Sequence, residues 1–397
     1  MTIWNTVQVN AKKRANKQAI GEARSGGAVF WSYEKLLADS IAAAVFLSES
    51  SNGSIPLTIS GLGTYNTAVF IIAASRLGYS LIIKKDAPKG FFIGDSFVAE
   101  AEIRPRLTGI LSRGEPFSLP QSSGEALFTF PVEDNLVTYS ESSALFSAEA
   151  FSEGCALSSC DRLMYLVAEN SPEGLFCCII APLIKGATSV KCDEPRDLLR
   201  HLKLVSPTKL FCSAKIAGAL LLKLLSIKKL PRRALEDSHN SDTFKNLSDP
   251  TWVIVRRLMQ PRITYILGGK LKTIITSKPM SPGRSRAFFA FGIFTIGAYS
   301  ENGLVSALFH YGGDKPEVWR LPSGCRADVC HVQSNGIGQI LLFSPAVREG
   351  NDCGATYIPL EKHFDEDDTA LVSRLSGFIL RDGSVFVTKI KSFGATC

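Results

Sequence analysis

One local pattern limits the fold of this chain more than any other. Pro56–Ser60 is a short apolar run, Tyr65–Gly78 carries apolar residues at helical spacing and stops at a glycine, and Ser80–Lys84 is a second short run. Strand, helix, glycine, strand is a βαβ unit. Its two strands are parallel, so the connection must cross over one face of the sheet and cover it. A helix over Tyr33–Leu47 precedes it, with Leu36, Leu37, Ile41, Ala44, Val45 and Leu47 on one stripe.

The middle of the chain repeats the pattern. Strands are expected at Arg162–Ala168, Ala187–Lys191 and Lys209–Cys212. Helices are expected at Gly174–Lys185, ending on Gly186, and at Arg196–Val205 and Lys215–Leu225. Lys228–Pro250 is polar and broken by prolines, and reads as a surface excursion. Leu271–Thr276 and Ile293–Ile296 read as further buried strands around Arg284–Phe291. From Leu321 the pattern changes to short strands and glycine turns, at Ala327–Val332, Gly338–Phe343, Gly377–Leu380 and Val385–Thr388. The expected fold class is α/β, with helix-covered sheets in two βαβ subdomains and a small distorted β-barrel. The expected division is 1–186, 187–320 and 321–397.

Composition excludes several alternatives. With 397 residues, 45% of them hydrophobic and 20% charged, the chain can bury two or three packed units and is not disordered. The net charge of +7 is spread along the sequence apart from Lys223–Arg233, a solvated helix end and loop. No basic stripe with interleaved aromatics is present, so no nucleic-acid partner is expected. The 10 cysteines show no CxxC spacing, and Cys325, Cys330 and His331 do not form a zinc frame. Free thiols in a reducing compartment are expected. Asp365–Asp368 reads as a solvated turn. The N-terminal residues hold no apolar signal core, and the apolar run Gly174–Ile184 is too short to span a bilayer. A cytoplasmic protein with no membrane span is expected.

Several fragments, in order, resemble one superfamily. Phe30-Trp31-Ser32-Tyr33-Glu34-Lys35-Leu36 is similar to "(S/T)-W-T-Y-x-E-L". Thr58 to Pro88 follows the pattern of that family's next strand, helix and strand. Ala181-Pro182-Leu183-Ile184-Lys185-Gly186-Ala187-Thr188 is similar to "x-P-L-x-x-G-A-T". Gly338-Gln339-Ile340, Ser344-Pro345, Gly350, Gly377-Phe378 and Asp382-Gly383 echo later motifs. From about Ala19 to Phe393 the chain resembles the large N-terminal domain of adenylate-forming ligases, the acyl-CoA and aryl-CoA synthetases and their relatives.

The motifs that carry that family's chemistry are eroded. Its phosphate loop uses glycines, so that backbone N–H groups approach the phosphates, and a lysine that adds charge. The matching stretch here runs from Thr138 to Ser147. Ser140, Ser142 and Ser143 keep hydroxyls, and the resemblance makes them candidate nucleotide contacts. Glu141 and Ala144 replace the glycines, and Ser147 replaces the lysine. Beside a triphosphate, Glu141 would repel each unit charge about 4 Å away by roughly 4 kcal/mol at an effective dielectric near 20. Gly297-Ala298-Tyr299-Ser300-Glu301 is similar to "Y-G-x-(T/S)-E". The resemblance implies Ser300 as a nucleotide contact and Glu301 as both a nucleotide contact and the magnesium ligand, a role suited to carboxylate oxygen. The Thr276–Pro282 segment lacks the glycine that would face adenine. The ribose-binding acid falls on Leu375, which can accept no hydrogen bond. The residue that gates the acyl pocket falls near Ser171. The hinge motif falls on Thr388–Ser392, and the smaller catalytic domain that follows it in the family is expected to be missing.

No catalytic residue is therefore assigned, and two readings stay open. In the first, the chain is a degenerate acyl or aryl ligase with an impaired ATP site. It would act as a binding or accessory subunit toward an acyl carrier protein or another enzyme of a polyketide or fatty-acid type pathway, or toward a carboxylic acid or acyl thioester. In the second it is a divergent active ligase completed by a partner in trans. ATP and magnesium are its cofactors only if activity remains; CoA or phosphopantetheine is the thiol carrier that the resemblance implies.

Overall fold

In the computed structural model, residues 2–50, 57–84, 88–93, 96–113, 124–132, 135–226, 260–301, 304–312, 317–344 and 370–390 are described. The Lys228–Pro250 excursion, the acidic run at 365–368, Pro345, Gly350 and the end of the hinge motif lie outside them, as do Cys353 and Cys397.

The chain opens with α1 (Ile3–Lys13), the hairpin β1 (Gln18–Arg24) and β2 (Gly27–Ser32), and α2 (Tyr33–Ser50). The expected βαβ unit follows as β3 (Leu57–Ser60), α3 (Thr64–Leu77) and β4 (Ser80–Lys84), with β3 and β4 parallel. Gly78 closes α3 in the left-handed region at φ 71°, where a Cβ would be strained. Next come β5 (Gly90–Ile93), β6 (Ser96–Ala99), α4 (Glu100–Ser112), β7 (Leu127–Val132), β8 (Asn135–Ser140) and α5 (Glu141–Gly154). The second half of the α/β region holds β9 (Arg162–Tyr165), a π-helical turn (Gly174–Ile180), α6 (Ala181–Lys185), β10 (Thr188–Cys192), α7 (Leu198–Val205), β11 (Lys209–Cys212) and α8 (Ala214–Ser226). It ends with β12 (Thr273–Thr276), α9 (Pro282–Ala290), β13 (Phe294–Glu301) and β14 (Leu304–Tyr311).

The strands form three sheets. One has eight strands in the order β14-β13-β12-β11-β9-β10-β1-β2, parallel from β13 to β1 with an antiparallel strand at each edge. The second has six in the order β6-β5-β3-β4-β7-β8. The third is antiparallel, in the order β15-β19-β18-β17-β16, built from β15 (Val318–Trp319), β16 (Arg326–Cys330), β17 (Gly338–Phe343), β18 (Ala370–Ile379) and β19 (Val385–Ile390). It is the small β unit expected after Leu321. The eight-stranded sheet takes β1, β2 and β9 from before residue 186 and β10 to β14 from after it, so no sheet boundary falls there.

The largest core lies between the two α/β sheets. It joins Leu57, Ile59 and Leu81 of one sheet to Leu163, Tyr165 and Ile275 of the other. Helix α3 runs through it with Ala68 to Ala74 all buried, as a helix that is apolar all round requires. A second core lies under α7, α8 and α9, and a third holds the β unit together around Trp319, Ile340, Leu342 and Leu375. No helix among the described residues is long and apolar enough to cross a membrane. None of the eight cysteines described is in a disulfide.

Candidate functional site

The stretch expected as a phosphate loop contains no loop. Strand β8 ends at Ser140, and α5 begins at the next residue. The missing glycines explain this: Ala144, Leu145 and Ala148 favour helix, and Ser140 supplies an N-cap. Its Oγ accepts the N–H of Ser143 at 3.1 Å, and lies 3.0 Å from the Ser142 Oγ. The N–H of Glu141 donates to Ala126 O at 2.9 Å. The N–H and the hydroxyl of Ser142 both donate to the Glu125 carboxylate. The backbone donors at the start of α5, the groups that would meet a phosphate, are thus spent on the chain's own acceptors, one of them a carboxylate.

Glu141 itself corrects an expectation. Its side chain turns into the core, 2% exposed, where it accepts the Ile3 N–H at 2.6 Å and the Ser75 hydroxyl. Burial raises its pKa.

Ser140, Ser142 and Ser143 therefore form one hydrogen-bonded turn. Ser300 and Glu301 lie elsewhere, at the carboxyl end of β13 in the eight-stranded sheet. Ser300 follows Tyr299, whose ring meets the buried Trp319 edge-on at 6.0 Å. The Glu301 backbone pairs with Leu304, and its side chain lies outside the described residues. The Pro279 backbone packs against Gly297 so closely that a Cβ there would stand 2.8 Å away. The segment expected beside adenine thus lies directly on β13. Leu375 is 0% exposed in the core of the β unit.

Two polar residues went unnoticed in the sequence. Glu173 opens the π-helical turn after β9, near Ser171, and burial holds its carboxyl above the usual range. π-Helical turns cluster at functional sites. Lys191 lies on β10, the last residue of the expected strand and in a run of buried residues, and pairs with Glu169 at 2.7 Å. A lysine inside an apolar strand and a glutamate three residues after Asn170 were the available signals. Among the described residues, no group of three or more His, Cys, Asp or Glu converges as metal ligands would.

Several solved structures share this fold. VinN superposes with a TM-score of 0.72 at 14% identity, covering 98% of this chain and 99% of its own. The N-terminal domain of FACL13 from Mycobacterium tuberculosis gives 0.68 at 12% identity, over 98% and 100%. The anthranilate CoA ligase AuaEII, in complex with anthranoyl-AMP, gives 0.65 at 12% identity, over 98% of this chain and 76% of that one. This is the fold of the adenylate-forming ligases. No family model matches the sequence, and no curated protein does either. At these identities the fold is what the chains share.

Proposed function

We propose that this chain keeps the adenylate-forming scaffold without its adenylating chemistry and works by binding, as an accessory subunit in carrier-protein or CoA-thioester biosynthesis of polyketide or fatty-acid type. The observation that carries the reading is the start of α5. Three successive N–H groups there already have internal acceptors, at Ala126, Glu125 and Ser140. Binding a triphosphate would require displacing a carboxylate from a helix N-terminus, where negative charge is favoured. Leu375, packed in the β-unit core, offers the ribose hydroxyls no acceptor at the position where the resemblance expects an acid. Losing one preorganised contact costs roughly 10²–10³ in rate, so losing several leaves little.

The second reading, a divergent active ligase, is favoured by Ser300 and Glu301, which stay at the carboxyl end of a parallel strand, where α/β sheets bind ligands. Pyrophosphate exchange decides between them. With ATP, magnesium and a panel of acids including L-aspartate, anthranilate and a fatty acid, no exchange is expected. Acid-dependent exchange by the isolated chain overturns the proposal. Titration with a purified holo-acyl carrier protein tests the binding role, and no complex at about 100 μM would sink that part.

A further inference from the structure

A thiol and an imidazole meet at the end of β10. Cys192 is the last residue of that strand, and His201 lies on α7. The turn Pro195–Asp197 leads into α7, which packs on β10 and β1. The Cys192 Sγ stands 3.1 Å from the His201 Nδ1. Strands β1 and β10 are parallel with Ala23 opposite Cys192, so Arg24 comes one residue further along. Its carbonyl oxygen lies 3.2 Å from the His201 Nε2. His201 is fully buried.

These contacts fix where the protons are. A carbonyl oxygen only accepts, so the Nε2 carries a proton and donates to Arg24 O. In the neutral ring the Nδ1 is then the acceptor, and the Cys192 S–H points to it. The other acceptor near the thiol, Glu194 O, is more distant at 3.7 Å. A nucleophile, a base and a third group that orients the base make up the arrangement that activates a weak nucleophile. Burial pushes the Cys192 thiol up to about 11, so the sulfur is protonated at rest and depends on that base.

Cys192 also lines a cleft of about 240 Å³ that opens between the two α/β sheets, where β3, β4, β9 and β10 reach their carboxyl ends. Lys84 and Lys191 line the same cleft opposite Glu169 and Asp193. The charges offset one another, so the cleft favours a reactant without net charge. Cys192 is 2% exposed, which admits a small molecule and shuts out a bulky one.

We infer that Cys192 and His201 form a reactive pair at which a small hydroperoxide oxidises the thiol to a sulfenic acid. The His201 Nδ1 takes the S–H proton as the sulfur attacks one peroxide oxygen. The S–O bond forms while the O–O bond breaks, and the departing hydroxide takes the proton from the imidazolium and leaves as water. The sulfur loses the electron pair that the peroxide gains. The reaction needs neither nucleotide nor carrier protein, so it goes beyond the accessory role proposed above.

Thiol mapping after hydrogen peroxide tests it. The folded chain is treated, quenched with catalase, denatured and alkylated with N-ethylmaleimide, and the thiols left unalkylated are counted on tryptic peptides. Cleavage at lysine and arginine puts Cys192 on the peptide 192–196 and Cys212 on the peptide 210–215. Cys212 is the internal control, because it is buried in the same core but has the Ala217 backbone rather than an imidazole beside it. Cys192 is expected to be lost about tenfold or more faster than Cys212, and His201→Asn is expected to remove most of that difference. The comparison within the wild-type chain decides the matter if the variant does not fold. Equal loss of the two thiols overturns the proposal, as does an unchanged Cys192 rate in folded His201→Asn.

Discussion

The Glu141 carboxylate, on the first turn of α5, accepts the backbone N–H of Ile3 at 2.6 Å across 138 residues of sequence. This bond ties the start of α1 to the start of α5. The Ser75 hydroxyl of α3 completes it and also accepts the Trp4 N–H at 2.9 Å. One side chain thus joins three helices around the main core. In the family's motif its position belongs to a phosphate-loop glycine.

Replacing Glu141 with leucine should destabilise the fold by about 1–3 kcal/mol, because the buried Ile3 N–H loses its acceptor. Urea unfolding measures this. Glu141→Gln keeps an acceptor oxygen and should cost much less. The pH dependence has a definite sign. Burial raises the native pKa above the ordinary value of 4.5, so the folded state holds the proton more tightly than the unfolded state. Stability from this group is greatest at low pH and falls as pH rises from about 4.5 through the native value. Glu141→Gln should remove that part of the slope; an unchanged slope would mean the carboxyl does not titrate with folding.

Leu375→Asp should fail to restore nucleotide binding and should destabilise the β unit. The leucine is fully buried against Trp319, Ile340 and Leu342. Cutting a buried leucine back costs about 2–5 kcal/mol, and an unpaired acid adds a desolvation penalty. A drop in melting temperature without ATP binding by calorimetry is the expected pair of results.

Gly174→Ala should be among the most damaging single-methyl additions. A Cβ there would stand 1.8 Å from Ala168 O, which is backbone and cannot swing aside. The loop before the π-helical turn would have to move, at a cost of about 1–3 kcal/mol or more. Loss of soluble expression or a lowered denaturation midpoint reads this out, and a neutral variant would mean the turn is not packed as described.

Tyr33→Phe should cost about 1 kcal/mol. The Tyr33 hydroxyl donates to Ala187 O at 2.7 Å, pinning the start of α2 to the turn before β10. Removal leaves that buried carbonyl with one partner fewer, and the shape of the site is unchanged. A thermal melt suffices.

What the sequence determined by itself was the local pattern. The βαβ unit at 57–84, the strand Lys209–Cys212, the strand Gly338–Phe343 and the glycine stops at Gly78 and Gly186 stand where their spacing put them, because hydrophobic period and left-handed caps are written within a few residues of each other. The order of motifs also carried the fold, since the echoes among the described residues follow one another in the order of its elements. Only the tertiary structure decided the rest. A run of serines with no glycine looks the same in one dimension whether it caps a helix or lines a loop; the partners that settle it, Glu125, Ala126 and Ile3, come from other segments. The same holds for Lys191, whose place in a buried strand is visible but whose partner and cavity are made by four strands from two sheets. Hydrogen-bond satisfaction is a property of the assembled core, so the fate of Glu141 was decided by Ile3 and Ser75 rather than by its neighbours in sequence.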